Sequence, residues 1–162
     1  MAQADFILDL DGVEGECADA KYPKKIQLLS FGFGVTNTGG AGYGSGAGTS
    51  KSLVQDMHFT KLVDTSSPNL FQAAATGKHF KTAILHVRKA GGDQPVEYML
   101  YTLNEVFVSA HNITGHDGGG MAQESGSLNF SKIQMDYKLQ SATGAGDKVN
   151  TKGYDVTANK PF

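Results

Sequence analysis

Apolar residues in this chain recur at every second position, in run after run, which is the period of a half-buried β-strand. Phe6, Leu8 and Leu10 alternate with Ile7, Asp9 and Asp11, and Leu29, Phe31, Phe33 and Val35 form a second stripe. Small residues, Ser30, Gly32 and Gly34, occupy the other face of that stripe. From Leu53 to Val63 the pattern resumes, with Met57 and Phe59 opposite Asp56, His58 and Thr60. Ala83, Leu85 and Val87 alternate with Ile84, His86 and Arg88, and Val96 to Ile113 is a long β-prone stretch. Leu128 and Phe130 are two apart, yet the next apolar set is Ile133, Met135, Tyr137 and Leu139. The step of three predicts a bulge, or a crossing from one sheet to another, around Ser131 and Lys132.

One segment breaks the period. Ser67 is a good N-cap, Pro68 suits the first helical position, and Leu70 to Ala75 is helix-prone. Gly77 is a natural C′ residue, Lys78 and His79 follow it, and Leu70, Phe71 and Ala74 are expected to dock the helix. Many strands and one helix point to a small barrel or sandwich with a helix packed at one side. At 162 residues the chain is one ordinary domain, with a core over about 3–140 and a short tail over 141–162.

Composition narrows the functions. Lys and Arg total 14 against 16 acidic residues, a net charge of −2, and Arg88 is the sole arginine. That balance offers no basic excess for nucleic acid and almost no bidentate guanidinium readout. No run approaches the roughly 20 apolar residues of a membrane span, so membrane insertion is not expected. Asp9, Asp11 and Glu14 interrupt the short apolar run near the N-terminus, so a cleaved signal peptide is not expected. The lone Cys17 has no internal bridging partner and no basic neighbour to activate it.

Glycine is the unusual component, at 21 residues, with six of them between Gly39 and Gly48. A phosphate-binding reading of that segment fails. No Gly-Lys-Ser/Thr opens a helix, and the loose match at Gly42, Gly44 and Ala47 is followed by strand pattern. His58, His79, His86, His111 and His116 show no metal-ligand spacing, with His58 and His86 expected on solvated faces. Ser45 lacks the outer glycines of a nucleophile elbow. No carboxylate pair is marked out by spacing, so neither cofactor nor catalysis is expected. A long loop in a compact domain is functional or disordered, and strand edges without a catalytic site suit self-assembly in a symmetric ring.

Ordered strings then carry a resemblance. Val54-Gln55-Asp56-Met57-His58-Phe59-Thr60-Lys61, Asp64, Ser67-Pro68 and Leu70 resemble the haemolysin-coregulated protein (Hcp) family. So do Gly77-Lys78-His79, Val87-Arg88-Lys89-Ala90-Gly91-Gly92, Glu97-Tyr98 and Leu128-Asn129-Phe130. The resemblance implies a mainly β fold, a small β-barrel of two sheets with one α-helix, assembling as a homohexameric ring. Rings of that family stack into the inner tube of the type VI secretion system. A spike protein tips the tube, a contractile sheath on a baseplate drives it, and effector proteins ride in its lumen. The loop over 38–52 maps to the arm that packs against the adjoining ring. Its residues are Thr38, Gly39, Gly40, Gly42, Tyr43, Gly44, Ser45, Gly46, Gly48 and Lys51. The alternatives are a monomeric β-barrel that binds a ligand and a secreted effector.

Overall fold

The computed structural model describes residues 4–37, 52–89, 94–139 and 148–162. Strand β1 (Asp5–Leu10) lies between β2 (Ile26–Leu28) and β7 (His79–Lys89), antiparallel to both. Next to β7 runs β8 (Val96–Thr114), which has a different second neighbour at each end. Its first half pairs with β10 (Lys132–Leu139) and its second half with β9 (Gln123–Asn129). Beyond β9 come β6 (Met57–Leu62) and β3 (Ser30–Gly32), and beyond β10 come β11 (Lys148–Asp155) and β12 (Lys160–Pro161). A separate ribbon pairs β4 (Val35–Thr36) with β5 (Leu53–Val54). Among the described residues the chain is mainly β with one helix, but they form a branched ten-stranded sheet plus a ribbon rather than a closed barrel.

Two local breaks make the branching. The predicted crossing occurs where the apolar step of three placed it: β9 ends at Asn129, β10 starts at Lys132, and Ser131 N–H donates to Asn104 O at 3.0 Å. The second break, at Leu29, corrects the expectation of one buried stripe from Leu29 to Val35. β2 pairs with β1, β3 pairs with β6, and between them Leu29 N–H donates to Thr60 O at 2.7 Å. Leu29 and Val35 are therefore exposed, while Phe31 and Phe33 are partly buried against the core.

Strand β8 also carries two bulges. Val87 faces Met99 but Arg88 faces Glu97, so Tyr98 is the extra residue; farther on, Ser109 is extra between Val108 and Ala110. Each bulge flips the side chains beyond it to the other face of the sheet. Glu97 thereby joins His86 and Arg88 on the face away from the main core.

That core is built by alternate residues of β1, β7 and β8, with Leu8, Leu10, Ala83, Leu85, Leu103 and Val106 all buried. Burying each larger side chain contributes about 1.5–3 kcal/mol. The other face of the sheet is covered by the connection from β1 to β2, which places Cys17 and Tyr22 on Ile7. The strap is fastened by Lys25 Nζ to Asp9 Oδ1 at 2.8 Å and by Gly15 N–H to Lys24 O at 2.8 Å. Gly15 is required there, since a Cβ would stand 2.5 Å from the Lys25 carbonyl oxygen.

Helix α1 (Ser67–Thr76) starts one residue earlier than predicted, with Ser66 as N-cap and Ser67 as its first residue. Neither serine hydroxyl caps the helix: Ser66 Oγ donates to Asp64, and Ser67 Oγ to Glu124. Gly77 closes the helix in the left-handed region at φ 67°, and Lys78 N–H donates to Ala73 O at 3.1 Å. Leu70 and Ala73 dock the helix, whereas Phe71, expected to dock, is 63% exposed. The segment read as a weak tail also differs from expectation. Residues 148–155 form β11, paired along the whole of β10, and Phe162 lies over Gly153. Only Val149 and Tyr154 are apolar in β11, which is why the strand left so little signal.

Candidate functional site

Lys61 is wholly buried, held by the alternation of β6 that also buries Met57 and Phe59. Its ammonium pairs with the Glu124 carboxylate of β9, its partner across the ladder, whose side chain is also 0% exposed. It donates further to Asp64 Oδ1 at 2.8 Å and to Leu62 O at 2.9 Å. Ser67 Oγ donates to Glu124 Oε1 at 2.9 Å and accepts from Asp64 N–H at 2.9 Å. His111 of β8 completes the cluster, with Nε2 2.9 Å from Glu124 Oε2. Burial opposes ionisation of Asp64, but the Lys61 hydrogen bond and then those from Ser66 hold its carboxyl below the usual range. One ammonium thus ties the start of α1 to the sheet, and every polar group in the cluster is turned inward.

A second cluster lies under the strap. Glu97 accepts from Tyr22 Oη at 3.3 Å and from Lys138 Nζ at 2.9 Å, and pairs with His86 Nδ1. Burial alone would raise the Glu97 pKa; the His86 bond, then Lys138, overcome it and bring it to about 2. Burial, then the Glu97 charge, push Tyr22 up to about 12. Arg88 lies across the Tyr22 ring at 5.1 Å and donates to Asp19 Oδ2 at 2.8 Å and Asp5 Oδ2 at 3.2 Å. Burial works against the Arg88 cation, and its Asp19 bond outweighs that and raises the pKa.

The remaining motif residues are structural in placement. Gln55 N–H donates to Gly34 O at 2.8 Å where the ribbon meets β6. Asp56 accepts from Ser109 Oγ at 2.6 Å and Asn129 Nδ2 at 2.8 Å, so it fastens the second bulge of β8. Phe59 lays its ring over Gly126. Pro68 sits in the first turn of α1, Lys78 Nζ lies 5.3 Å above Phe80, and Lys89 Nζ lies 5.6 Å above Tyr98. Gly91 lies outside the described residues, as do Thr38 to Lys51 of the glycine-rich loop; Ser52 is the part of that loop the structure describes.

Ser52 lines an apolar groove of about 620 Å³ between the ribbon and the β10–β11 hairpin. Phe33, Val35, Val54, Ile133, Met135 and Tyr154 form its walls, and Lys152 and Asn159 its rim. Ser52 Oγ donates to the Tyr154 hydroxyl at 3.2 Å, which in turn donates to Asn159 Oδ1. Among the described residues no cluster of His, Cys, Asp and Glu could hold a metal ion, and no helix is long and apolar enough to cross a membrane.

His58 is exposed as expected, but His86 and His111 are not solvated: each carries a carboxylate partner. Glu124, His111, Tyr22, Asp19 and Lys138 escaped sequence reasoning. The available signal was period: Glu124 is in step with Gly126 and Leu128, and His86 with Arg88.

Comparison with known proteins assigns the arrangement to a family. Residues 7–137 match the family described as "Type VI secretion system effector, Hcp". Protein hcp1 of Pseudomonas aeruginosa is 39% identical over 156 residues, covering 96% of each chain. The crystal structure of Hcp1 from Salmonella typhimurium superposes with a TM-score of 0.80 at 35% identity, covering both chains fully. A further type six secretion system protein gives a TM-score of 0.91 at 28% identity, over 99% of this chain and 100% of that one. With its branched sheet, single helix and 131-residue family match in accord, the chain belongs to the Hcp family of type VI secretion system proteins.

Proposed function

We propose that this chain is a non-catalytic structural subunit of the type VI secretion tube, acting as a homohexameric ring that stacks on further rings. The observation that carries the proposal is the family match, over most of the chain and at 39% identity to Protein hcp1. The internal chemistry supports it. The titratable groups that resemble catalytic pairs, His86 with Glu97 and His111 with Glu124, are committed to fastening the strap and helix α1. Exposed apolar residues at both ends of the sheet, Val35 and Leu53 at one and Phe71 and Ile113 at the other, suit burial against further copies.

In this proposal the loop from Thr38 to Ser52 is the arm between rings. The spike protein caps the stack, the sheath and baseplate drive it, and effector proteins occupy the lumen. The subunit is made in the cytosol and leaves through the machine. Sedimentation velocity and negative-stain microscopy test the core of the proposal. Six-membered rings are expected, and a monomer across a wide concentration range overturns it. The apolar groove favours a second reading, a monomeric ligand-binding module. Saturable binding of a small apolar ligand by a chain that stays monomeric selects that reading.

A further inference from the structure

The apolar groove between the ribbon and the β10–β11 hairpin takes no part in either buried cluster. Its floor is one face of the sheet, where register sets the neighbours. Tyr101, Met135 and Lys152 stand side by side across β8, β10 and β11, and so do Leu103, Ile133 and Tyr154. Residues opposite each other on adjacent strands share a face, so Lys152 shares the floor with Met135, and Tyr154 with Ile133. The facing wall is the ribbon with Phe33, whose ring meets Tyr101 edge-on at 5.6 Å. The volume of about 620 Å³ suits a small molecule, for which roughly 300–1,000 Å³ is usual.

Two polar features interrupt the apolar lining. Ser52 Oγ donates to the Tyr154 hydroxyl at 3.2 Å, and that hydroxyl donates to Asn159 Oδ1, so the Asn159 amide keeps N–H groups to donate. Lys152 is the sole charged residue among the described lining. The carboxylates of the neighbouring strands are committed elsewhere. Asp155 pairs with Lys132 at 3.7 Å and Glu97 with Lys138 at 2.9 Å, while Asp136 follows Met135 and so lies on the opposite face. Among the described residues none forms an ion pair with Lys152. An ammonium beside apolar walls fits one anionic head on an apolar body. A phosphate fits less well, because guanidinium forks favour it and Arg88, the sole arginine, lies under the strap.

We propose that the groove binds a small amphipathic carboxylate, a medium-chain aliphatic acid, with its head on Lys152 and the Asn159 amide and its hydrocarbon on Ile133, Met135 and Phe33. The head keeps the charge at the exposed rim, where Lys152 is, and the hydrocarbon covers apolar surface that the subunit leaves open. The proposal goes beyond the tube reading and does not depend on it.

Decanoate titrated into the full chain below its micelle concentration tests this, with calorimetry for affinity and methionine methyl resonances for location. One decanoate per subunit is expected, with saturation and a shift of the Met135 methyl. Met121, 65% exposed and not part of the groove, should stay unmoved. Lys152 is exposed, so its replacement spares the fold. Lys152→Glu should weaken decanoate by about ten-fold or more and gain affinity for decylamine, a reversal that loss of packing alone does not produce. Uptake without saturation, equal affinity for decanol and decanoate, an equal shift at Met121, or an unchanged Lys152→Glu variant overturns the proposal. Sedimentation of the same samples keeps the two readings apart. Rings that take up no decanoate overturn the groove proposal and leave the tube, whereas saturable uptake by a permanent monomer supports the groove and removes the tube.

Discussion

Lys61 and Glu124 face each other across the β6–β9 ladder with neither side chain exposed, an ion pair sealed between the sheet and the start of helix α1. Two charges withdrawn from water are tolerated only when each finds its full set of partners. Asp64, Ser67, His111 and the Leu62 carbonyl complete those sets.

Breaking that pair from one side is expected to be severe. Lys61→Met leaves the Glu124 carboxylate buried without its cation and should destabilise the subunit by about 3–5 kcal/mol. The double change Lys61→Met with Glu124→Leu removes both charges and should cost clearly less than Lys61→Met alone. Urea unfolding of the three chains checks this, and additive losses would show that the two residues do not act as a pair.

The Glu97 cluster sets an acid limit. Its carboxyl lies at about 2 in the fold against an ordinary value of 4.5, so the fold favours the ionised form. The stability it contributes is complete above pH 4.5 and is lost as pH falls through about 2. Glu97→Gln should therefore flatten the acid limb of the stability curve over that window. Tyr22 acts at the other extreme. Its pKa is raised from 10 to about 12, so its contribution is present below pH 10 and declines as pH rises toward 12. Tyr22→Phe should remove that alkaline decline, as thermal melts across pH will show.

Gly126 is a packing requirement. A Cβ there would lie 2.6 Å from Phe59 Cζ and 3.1 Å from the Ala110 carbonyl oxygen. Gly126→Ala should destabilise the chain by about 1–3 kcal/mol, the usual range for overpacking. Combining it with Phe59→Leu should recover part of the loss in denaturant titrations, because the ring is the movable obstacle.

How much of this was legible in the sequence follows from which residues carry periodic information. The strands of the core showed themselves because burial on one face imposes a period of two on Leu8, Leu10, Leu85 and Val87. The crossing after Phe130 was visible for the same reason, as a broken period. The break at Leu29 was not, because the buried phase passes from Ile26 and Leu28 to Phe31 and Phe33 across two adjacent leucines, and Leu29 fits the second phase although it is exposed. The helix cap was displaced by one residue because Ser66 and Ser67 are both suitable caps. Their tertiary partners, Asp64 for Ser66 and Glu124 for Ser67, leave no local mark that separates the two. The buried clusters were illegible because Lys61 and Glu124, 63 residues apart, meet only across the β6–β9 ladder, and Tyr22 and Glu97, 75 apart, only where the first bulge of β8 turns Glu97 to the strap.

The strap over the sheet's second face yields a last prediction, for which Cys17 is the reporter. Its thiol is buried beneath residues 11–25, where Cys17 N–H donates to Lys25 O at 2.9 Å and Sγ lies 3.6 Å from Gln27 Oε1. The strap's charged fastening to β7 is Arg88, through Asp19 at 2.8 Å and the Tyr22 ring. Losing a hydrogen bond to a charged group costs about 1.5–3 kcal/mol, which raises the population of an opened strap by roughly 10- to 100-fold. Arg88→Ala should therefore accelerate labelling of Cys17 by a thiol reagent by that factor while β6, β8 and β9 keep their protection from hydrogen exchange. Arg88→Lys keeps a charge but loses the planar stack on Tyr22, so its labelling rate should fall between the two. Equal rates in all three chains would mean that Arg88 does not hold the strap, and that Lys25 with Asp9 and Tyr22 with Glu97 fasten it without Arg88.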